Sequence, residues 1–423
     1  MDDKGSGQAH TRVSGHGAET ETKRCFAPAL CIIGETQFSI WGMTSIERLR
    51  KQFERQGIAE TVTLEAALER DGPVVFVASD VVLDQPVIPV LARRLNLLLM
   101  SDDEVQRPVA VATNGKNAKA VGQILSGGDI PDDLHLLVRT PADLDAAFWD
   151  KLRKKEVPYV LSLTDEKQPA IEWRMFMGTY KGATDFVTKH VWPRPAFYLT
   201  RLIAPTSITP NMVTSVSAVM VVLAFWWFWQ GQYGLGIVAA WLMTFLDTVD
   251  GKLARTTLSA SKWGDIFDHG IDLIHPPFWY YAWAVGLSAA GYTWSASFMW
   301  LILAAIMGGY VVQRIMEGIA IKWLGIEIHI WRPVDTFFRE ITARRNPNLV
   351  IMTISAVIGR PDWGLIGVAA WTFICLILHG LQLIQAFIAK EAGQPLKTWM
   401  QDAAAQRAGA QTAQKTQKNG AGR

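Results

Sequence analysis

Cysteine is scarce in this chain of 423 residues. The three present, Cys25, Cys31 and Cys375, have no metal-ligand spacing and are too few for a disulfide framework, so they read as ordinary thiols. Net charge is nearly absent as well: 41 Lys and Arg against 39 Asp and Glu leave +2. A nucleic-acid binder would be markedly basic, so that class of partner is excluded. No cleavable signal peptide opens the chain; residues 1–24 are polar, rich in Gly and Thr, and predict disorder. Residues 391–423 predict a disordered tail, because their Ala-, Gln-, Lys- and Gly-rich end from Gln401 to Arg423 has no apolar periodicity.

Long apolar runs are missing from residues 25–170, and nothing there is long enough to span a bilayer. Short β-branched runs stand there instead: ALCIIG (29–34), PVVFVAS (73–79) and RPVAVAT (107–113). They alternate with helical patterns at 45–57 and 85–99, which predicts an N-terminal α/β domain with a mostly parallel sheet. The rest of the chain differs. Six apolar segments can be drawn, at about 212–230, 234–253, 264–290, 294–323, 346–360 and 363–389. They predict a C-terminal all-α, six-helix transmembrane domain over 211–390, with a fifth helix that is short for a core of about 30 Å.

Residues 171–210 link the two parts. They mix Lys181, Lys189, Arg194 and Arg201 with Phe, Trp and Tyr, the pattern of an amphipathic juxtamembrane helix lying among lipid headgroups. The loops QGQYG and AGYTW carry no Lys or Arg, whereas Lys252, Arg255, Lys262, Lys322, Arg332, Arg339, Arg344 and Arg345 gather on the opposite side. By the positive-inside rule the N-terminal domain, that charged side and both termini are cytoplasmic, in a bacterial-type inner or cytoplasmic membrane.

Five aspartates break the apolar half between residues 247 and 272, and four of them form two pairs. Residues 247–272 read DTVDGKLARTTLSASKWGDIFDHGID. Ionisable groups at the mouth of membrane helices are expensive and default to functional candidates. Asp247 and Asp250 are three apart, and Asp268 and Asp272 four apart, so each pair shares a helical face. Two such faces meeting would form an all-oxygen cage suited to Mg²⁺ or Mn²⁺. Read without that function, the stretch is a solvated interfacial turn with ordinary caps.

The stretch resembles the signature of the CDP-alcohol phosphotransferase family, D-x2-D-G-x2-A-R-x8-G-x3-D-x3-D. Asp247, Asp250, Gly251, Ala254, Arg255, Gly264, Asp268 and Asp272 fill its eight fixed positions. The resemblance implies metal-dependent transfer of a phosphate-linked alcohol from a CDP-alcohol donor to a hydroxyl acceptor, with release of CMP. It implies that Asp247, Asp250 and Asp268 hold metal, that Asp272 completes a second ion's shell and takes the acceptor proton, and that Gly251, Ala254, Arg255 and Gly264 line the CDP site. The small residues also suit close helix packing, and Gly264 is expected to avoid a clash with the second helix. A TPN-x2-T segment before the first membrane helix is common in the same family, so Asn211 and Thr214 are CDP-site candidates beside their alternative as plain caps. The family is often dimeric, so a homodimer is an expected partner arrangement.

Acceptor binding is less legible. A phosphorylated polyol would need its own basic pocket, for which Arg314, Arg344 and Arg345 are candidates. Arg314 equally suits an ion pair with Glu317, and the other two suit positive-inside anchoring. His269 and His275 fit a polar cavity face better than ligation beside hard oxygen donors. The N-terminal domain faintly resembles nucleotidyltransferases, with Asp80 ending VVFVASD as a metal-binding or turn residue. Its first loop has Gly34 and Gly42 but no GxGxR cluster, so a degenerate docking or regulatory domain is favoured over a phosphate site. The fusion itself resembles inositol-phosphate cytidylyltransferase/di-inositol-phosphate phosphate synthases, which makes CDP-inositol an alternative to a CDP-lipid donor. A divalent-cation transporter is a distant third reading; no internal repeat supports it.

Overall fold

The computed structural model describes residues 28–144 and 157–400. The expected disordered segment 1–24 and the run from 401 lie outside them. The N-terminal region contains strands β1 (Ala29–Ile33), β2 (Ser39–Ile40), β3 (Met43–Thr44), β4 (Pro73–Ala78), β5 (Val81–Leu83), β6 (Leu97–Met100), β7 (Pro108–Asn114), β8 (Leu137–Arg139) and β9 (Val160–Ser162). Helices α1 (Ser45–Glu54), α2 (Leu64–Leu68), α3 (Val87–Arg93), α4 (Ala118–Leu125) and α5 (Gln168–Gly178) surround them. The main sheet runs β1-β4-β7-β6-β8.

That sheet is mixed, which corrects the expected parallel one. β1–β4 and β6–β8 are parallel, while β4–β7 and β6–β7 are antiparallel. The pattern at 85–99 is not one helix: Asn96 takes a left-handed φ of 55° and turns the chain from α3 into β6. Between β6 and β7 lies a loop closed by Ser101 N–H donating to Arg107 O at 2.8 Å. A connection that short cannot hold a parallel crossover, which needs a dozen or more residues, so the strands must return antiparallel.

The C-terminal region is helical: α6 (Pro193–Ile203), α7 (Pro210–Trp229), α8 (Tyr233–Thr256), α9 (Lys262–Ala289), α10 (Ala296–Ile319, extended by a π-turn Ala320–Leu324), α11 (Pro333–Ile341), α12 (Arg345–Val357) and α13 (Pro361–Glu391). Four of these, Pro210–Trp229, Tyr233–Thr256, Ala296–Leu324 and Pro361–Glu391, are long and apolar enough to cross a membrane. Four of the six expected spans thus meet these criteria of length and composition among the described residues. α9 brings Asp265, Asp268, Asp272 and two histidines into its first half, and α12 has 13 residues, about 20 Å at 1.5 Å per residue.

Phe228, Trp279, Trp283, Leu303 and Leu365 are in the core where α7 to α10 and α13 meet. Indole groups buried there find acceptors: Trp279 Nε1–H donates to Val221 O at 3.0 Å and Trp283 Nε1–H to Pro361 O at 2.9 Å. A second core joins the two regions. Trp41, Phe176, Phe197, Val213, Val249 and Leu253 pack together, with Trp41 edge-on to Phe197 at 5.7 Å. Gly42, at φ +75°, lets this loop approach the Pro205 backbone, where a Cβ would come within 2.8 Å of Pro205 Cα. The glycine loop after β1 therefore docks onto the α6–α7 link. Asp80, at the end of β4, pairs with Arg107 at 2.7 Å and belongs to no candidate metal cluster among the described residues. Residues 396–400, expected within a tail, are instead ordered: Trp399 Nε1–H donates to Thr336 Oγ1 at 2.9 Å.

Candidate active site

Local signals turn the chain sharply between α8 and α9. α8 ends at Thr256, and Leu258 takes a left-handed φ of 52°. Ser261 then caps α9 by accepting from Gly264 N–H at 3.0 Å. The turn brings the two aspartate faces together. One carboxylate oxygen from each of Asp247, Asp250 and Asp268 lies within 4.8 Å of the others.

Asp250 is 3% exposed and held from α7, where Thr214 Oγ1–H donates to its Oδ2 at 2.5 Å. Its Oδ1 is buried with no hydrogen-bond partner. A buried, orphaned carboxylate oxygen beside two more carboxylates suits a hard divalent cation, and Asp247, Asp250 and Asp268 would hold it.

Arg345 stands inside this site. Its Nη2–H donates to Asp247 Oδ2 at 2.5 Å, and its Nη1–H donates to Asp272 Oδ1. One guanidinium thus bridges α8 and α9 from the start of α12. Sequence reasoning grouped Arg345 with the acceptor arginines, and its contact with Asp247 had no signal in the spacing.

The remaining motif residues have separate tasks. A Cβ on Gly251 would lie 2.8 Å from Arg255 Nη2, so glycine here makes room for Arg255 to fold back along its own helix. Arg255 Nε is buried without a partner. A Cβ on Gly264 would meet Asn211 Oδ1 at 2.9 Å. Gly264 therefore admits the first membrane helix, where the second was expected, and brings Asn211 to the start of α9. Ala254 is half-buried on the motif face of α8. His269 and His275 place Nδ1 2.8 Å from Asp265 O and 2.7 Å from Ile271 O.

Beside the aspartates opens a cavity of about 390 Å³. Asp272 is the one motif aspartate on its wall, and Lys181, Arg314, Arg339, Arg344 and Arg345 make that wall strongly basic. All three acceptor candidates thus converge there. Arg314 and Arg344 are steadied by Glu317, at 3.0 and 2.5 Å, and His329 reaches the same carboxylate at 2.9 Å. The expected Arg314–Glu317 ion pair and the cavity position coexist. Lys181 and Asp185 come from the linker before α6 and were not singled out as acceptor candidates. Asp185 accepts from Asn346 Nδ2–H at 2.9 Å. Lys252, read as an anchoring charge, lies 3.1 Å from the centre of the Tyr180 ring and donates to Thr179 O at 3.2 Å.

Two membrane-type helices thus bring carboxylates together beside a basic cavity. Residues 207–342 match the family model for CDP-alcohol phosphatidyltransferase. The chain is 32% identical over 122 residues to archaetidylinositol phosphate synthase of Pyrococcus horikoshii, covering 28% of this chain and 60% of that protein. It is 33% identical over 90 residues to cholinephosphotransferase 1 of Danio rerio, covering 18% of this chain and 22% of that one. The chain thus spans under two thirds of the length of either relative.

Proposed function

We propose that the protein transfers a phosphoalcohol group from a CDP-alcohol to the hydroxyl of a phosphorylated polyol, releasing CMP. The observation that carries this reading is the junction of the carboxylate cluster with the basic cavity at Asp272. CDP lies along Gly251, Ala254, Arg255, Gly264, Asn211 and Thr214, with Arg255 offering a planar donor fork to the diphosphate. Bound Mg²⁺ or Mn²⁺, as one or two ions, would neutralise diphosphate charge. Lys181, Arg314 and Arg344 hold the acceptor's phosphate.

The acceptor hydroxyl oxygen forms a new bond to the phosphorus that carries the alcohol. The phosphoanhydride bond breaks, its bridging oxygen leaves with CMP, and the hydroxyl proton passes to Asp272. The Asp272 side chain is 41% exposed, which leaves it open to an acceptor despite its bond to Arg345.

The name of the archaeal relative, archaetidylinositol phosphate synthase, fits a phosphorylated polyol acceptor. CDP-inositol remains the alternative donor to a CDP-lipid. The N-terminal domain acts by docking: its Gly42 is occupied against Pro205 and its Asp80 against Arg107. The aspartates and both termini face the cytoplasm, as the distribution of Lys and Arg supports.

CMP release from purified protein, with CDP-diacylglycerol or CDP-inositol as donor and inositol 1-phosphate as acceptor, tests the reading. Release should require Mg²⁺ or Mn²⁺ and stop on chelation. Release that survives Asp268→Ala overturns it. Labelled CTP with inositol 1-phosphate should yield no CDP-alcohol.

A further inference from the structure

The last carbonyls of a helix have no partner within it and must be satisfied from outside. At the end of α8 the N-terminal domain satisfies one of them, together with a carbonyl of the turn that follows. Arg48 Nη1–H donates to Thr256 O at 2.6 Å, and Arg55 Nη2–H donates to Leu258 O at 2.6 Å. Arg48 lies on α1 and Arg55 caps its end, about two helical turns further on.

Arg48 is 7% exposed, and burial lowers its pKa to about 10, which leaves it cationic at neutral pH. A buried cation aimed at a helix C-terminus complements the negative end of the helix dipole. Leu258 is the residue that most needs support. A leucine with φ +52° is in a region that side chains rarely adopt and that surrounding contacts must impose. Only Ser259 and Ala260 separate it from Ser261, the cap of α9. The angle taken at Leu258 therefore sets where α9 starts and where Asp268 stands.

We propose that Arg48 and Arg55 are positioning residues for the aspartate site. From the N-terminal domain they lock the α8–α9 turn and so fix Asp268 against Asp247 and Asp250. Lys252 joins the same attachment from the opposite direction, since it lies on α8 and reaches Thr179 and Tyr180. The inference rests on the proposed metal-holding role of the aspartates, and the exchange measurement below is independent of that role.

The test uses the full chain in detergent and compares wild type with Arg55→Ala, the double variant Arg48→Ala/Arg55→Ala, and the double lysine variant. Backbone hydrogen exchange should quicken at least tenfold over 256–264 in the double alanine variant, with 361–391 unchanged. Mn²⁺ affinity, read from the free-ion paramagnetic resonance signal, should weaken about tenfold, and the lysine pair should restore most of it. Arg55 is exposed just past the end of α1, so Arg55→Ala keeps the fold and should give a smaller change of the same kind should the double variant fail to fold. Exchange over 256–264 that stays at the wild-type rate in a folded Arg55→Ala or double variant overturns the proposal. Wild-type protein that neither binds Mn²⁺ nor releases CMP overturns the metal and transfer reading, while the exchange result still decides the positioning role.

Discussion

Thr214 donates its hydroxyl to Asp250 at 2.5 Å, and the contact ties the first membrane helix to the carboxylate cluster on the second. Asp250 already has one oxygen without a partner. Thr214→Val would leave both oxygens without a donor. Losing a hydrogen bond to a charged group costs about 1.5–3 kcal/mol, or roughly 10- to 100-fold in an equilibrium. The metal concentration for half-maximal CMP release should rise by about that factor, and Thr214→Ser should restore it.

Arg345 pairs with both Asp247 and Asp272. Arg345→Gln should lower the melting temperature in chelator and narrow that loss when Mg²⁺ is added, because the ion supplies the missing positive charge. Breaking a buried ion pair costs about 3–5 kcal/mol, and partial exposure here puts the effect towards the lower end. Equal melting-temperature losses with and without Mg²⁺ would sink this account.

Arg314 separates acceptor from donor effects. It faces the cavity and is steadied by Glu317 at 3.0 Å. Arg314→Ala should raise the KM for a phosphorylated acceptor about tenfold, the scale of one lost charge-assisted contact, and leave the KM for the CDP donor within about twofold. A matching rise for the donor would place Arg314 in the wrong site.

Cys31 is buried in β1, and burial pushes its thiol up to about 11. At pH 8 about one molecule in a thousand would carry the reactive thiolate. Iodoacetamide at pH 8 should therefore leave the Cys31 peptide unmodified in native protein and label it in denaturant, as read by mass spectrometry.

The aspartate faces were legible because helical periodicity is local: residues three and four apart share a side wherever the helix lies. The convergence of Arg314 and Arg344 on a cavity could be expected from charge alone. Arg345 could not be assigned the same way, since its bond to Asp247 joins residues 98 apart in sequence. The sheet misled for a related reason. Strand direction depends on the seven residues between β6 and β7, and LNLLL reads as well for the end of a helix as for a strand until Asn96 turns the chain. Gly264 was expected to clear the second helix, whereas the neighbour that a Cβ there would meet is Asn211, brought in by the packing of α7 against α9.

The grip of Arg48 on Thr256 and of Arg55 on Leu258 closes loops of 208 and 203 residues. Bringing together ends so far apart costs about 5 kcal/mol in chain entropy beyond the constant for any loop. Contacts of that range form late in folding. Since α1 is made before α8, the receptor for the helix end exists before the helix does. By the positioning proposed for these arginines, the carboxylates would gain their final spacing only when α1 meets the end of α8. Any ion that Asp247, Asp250 and Asp268 hold would then be captured after that closure and not before it.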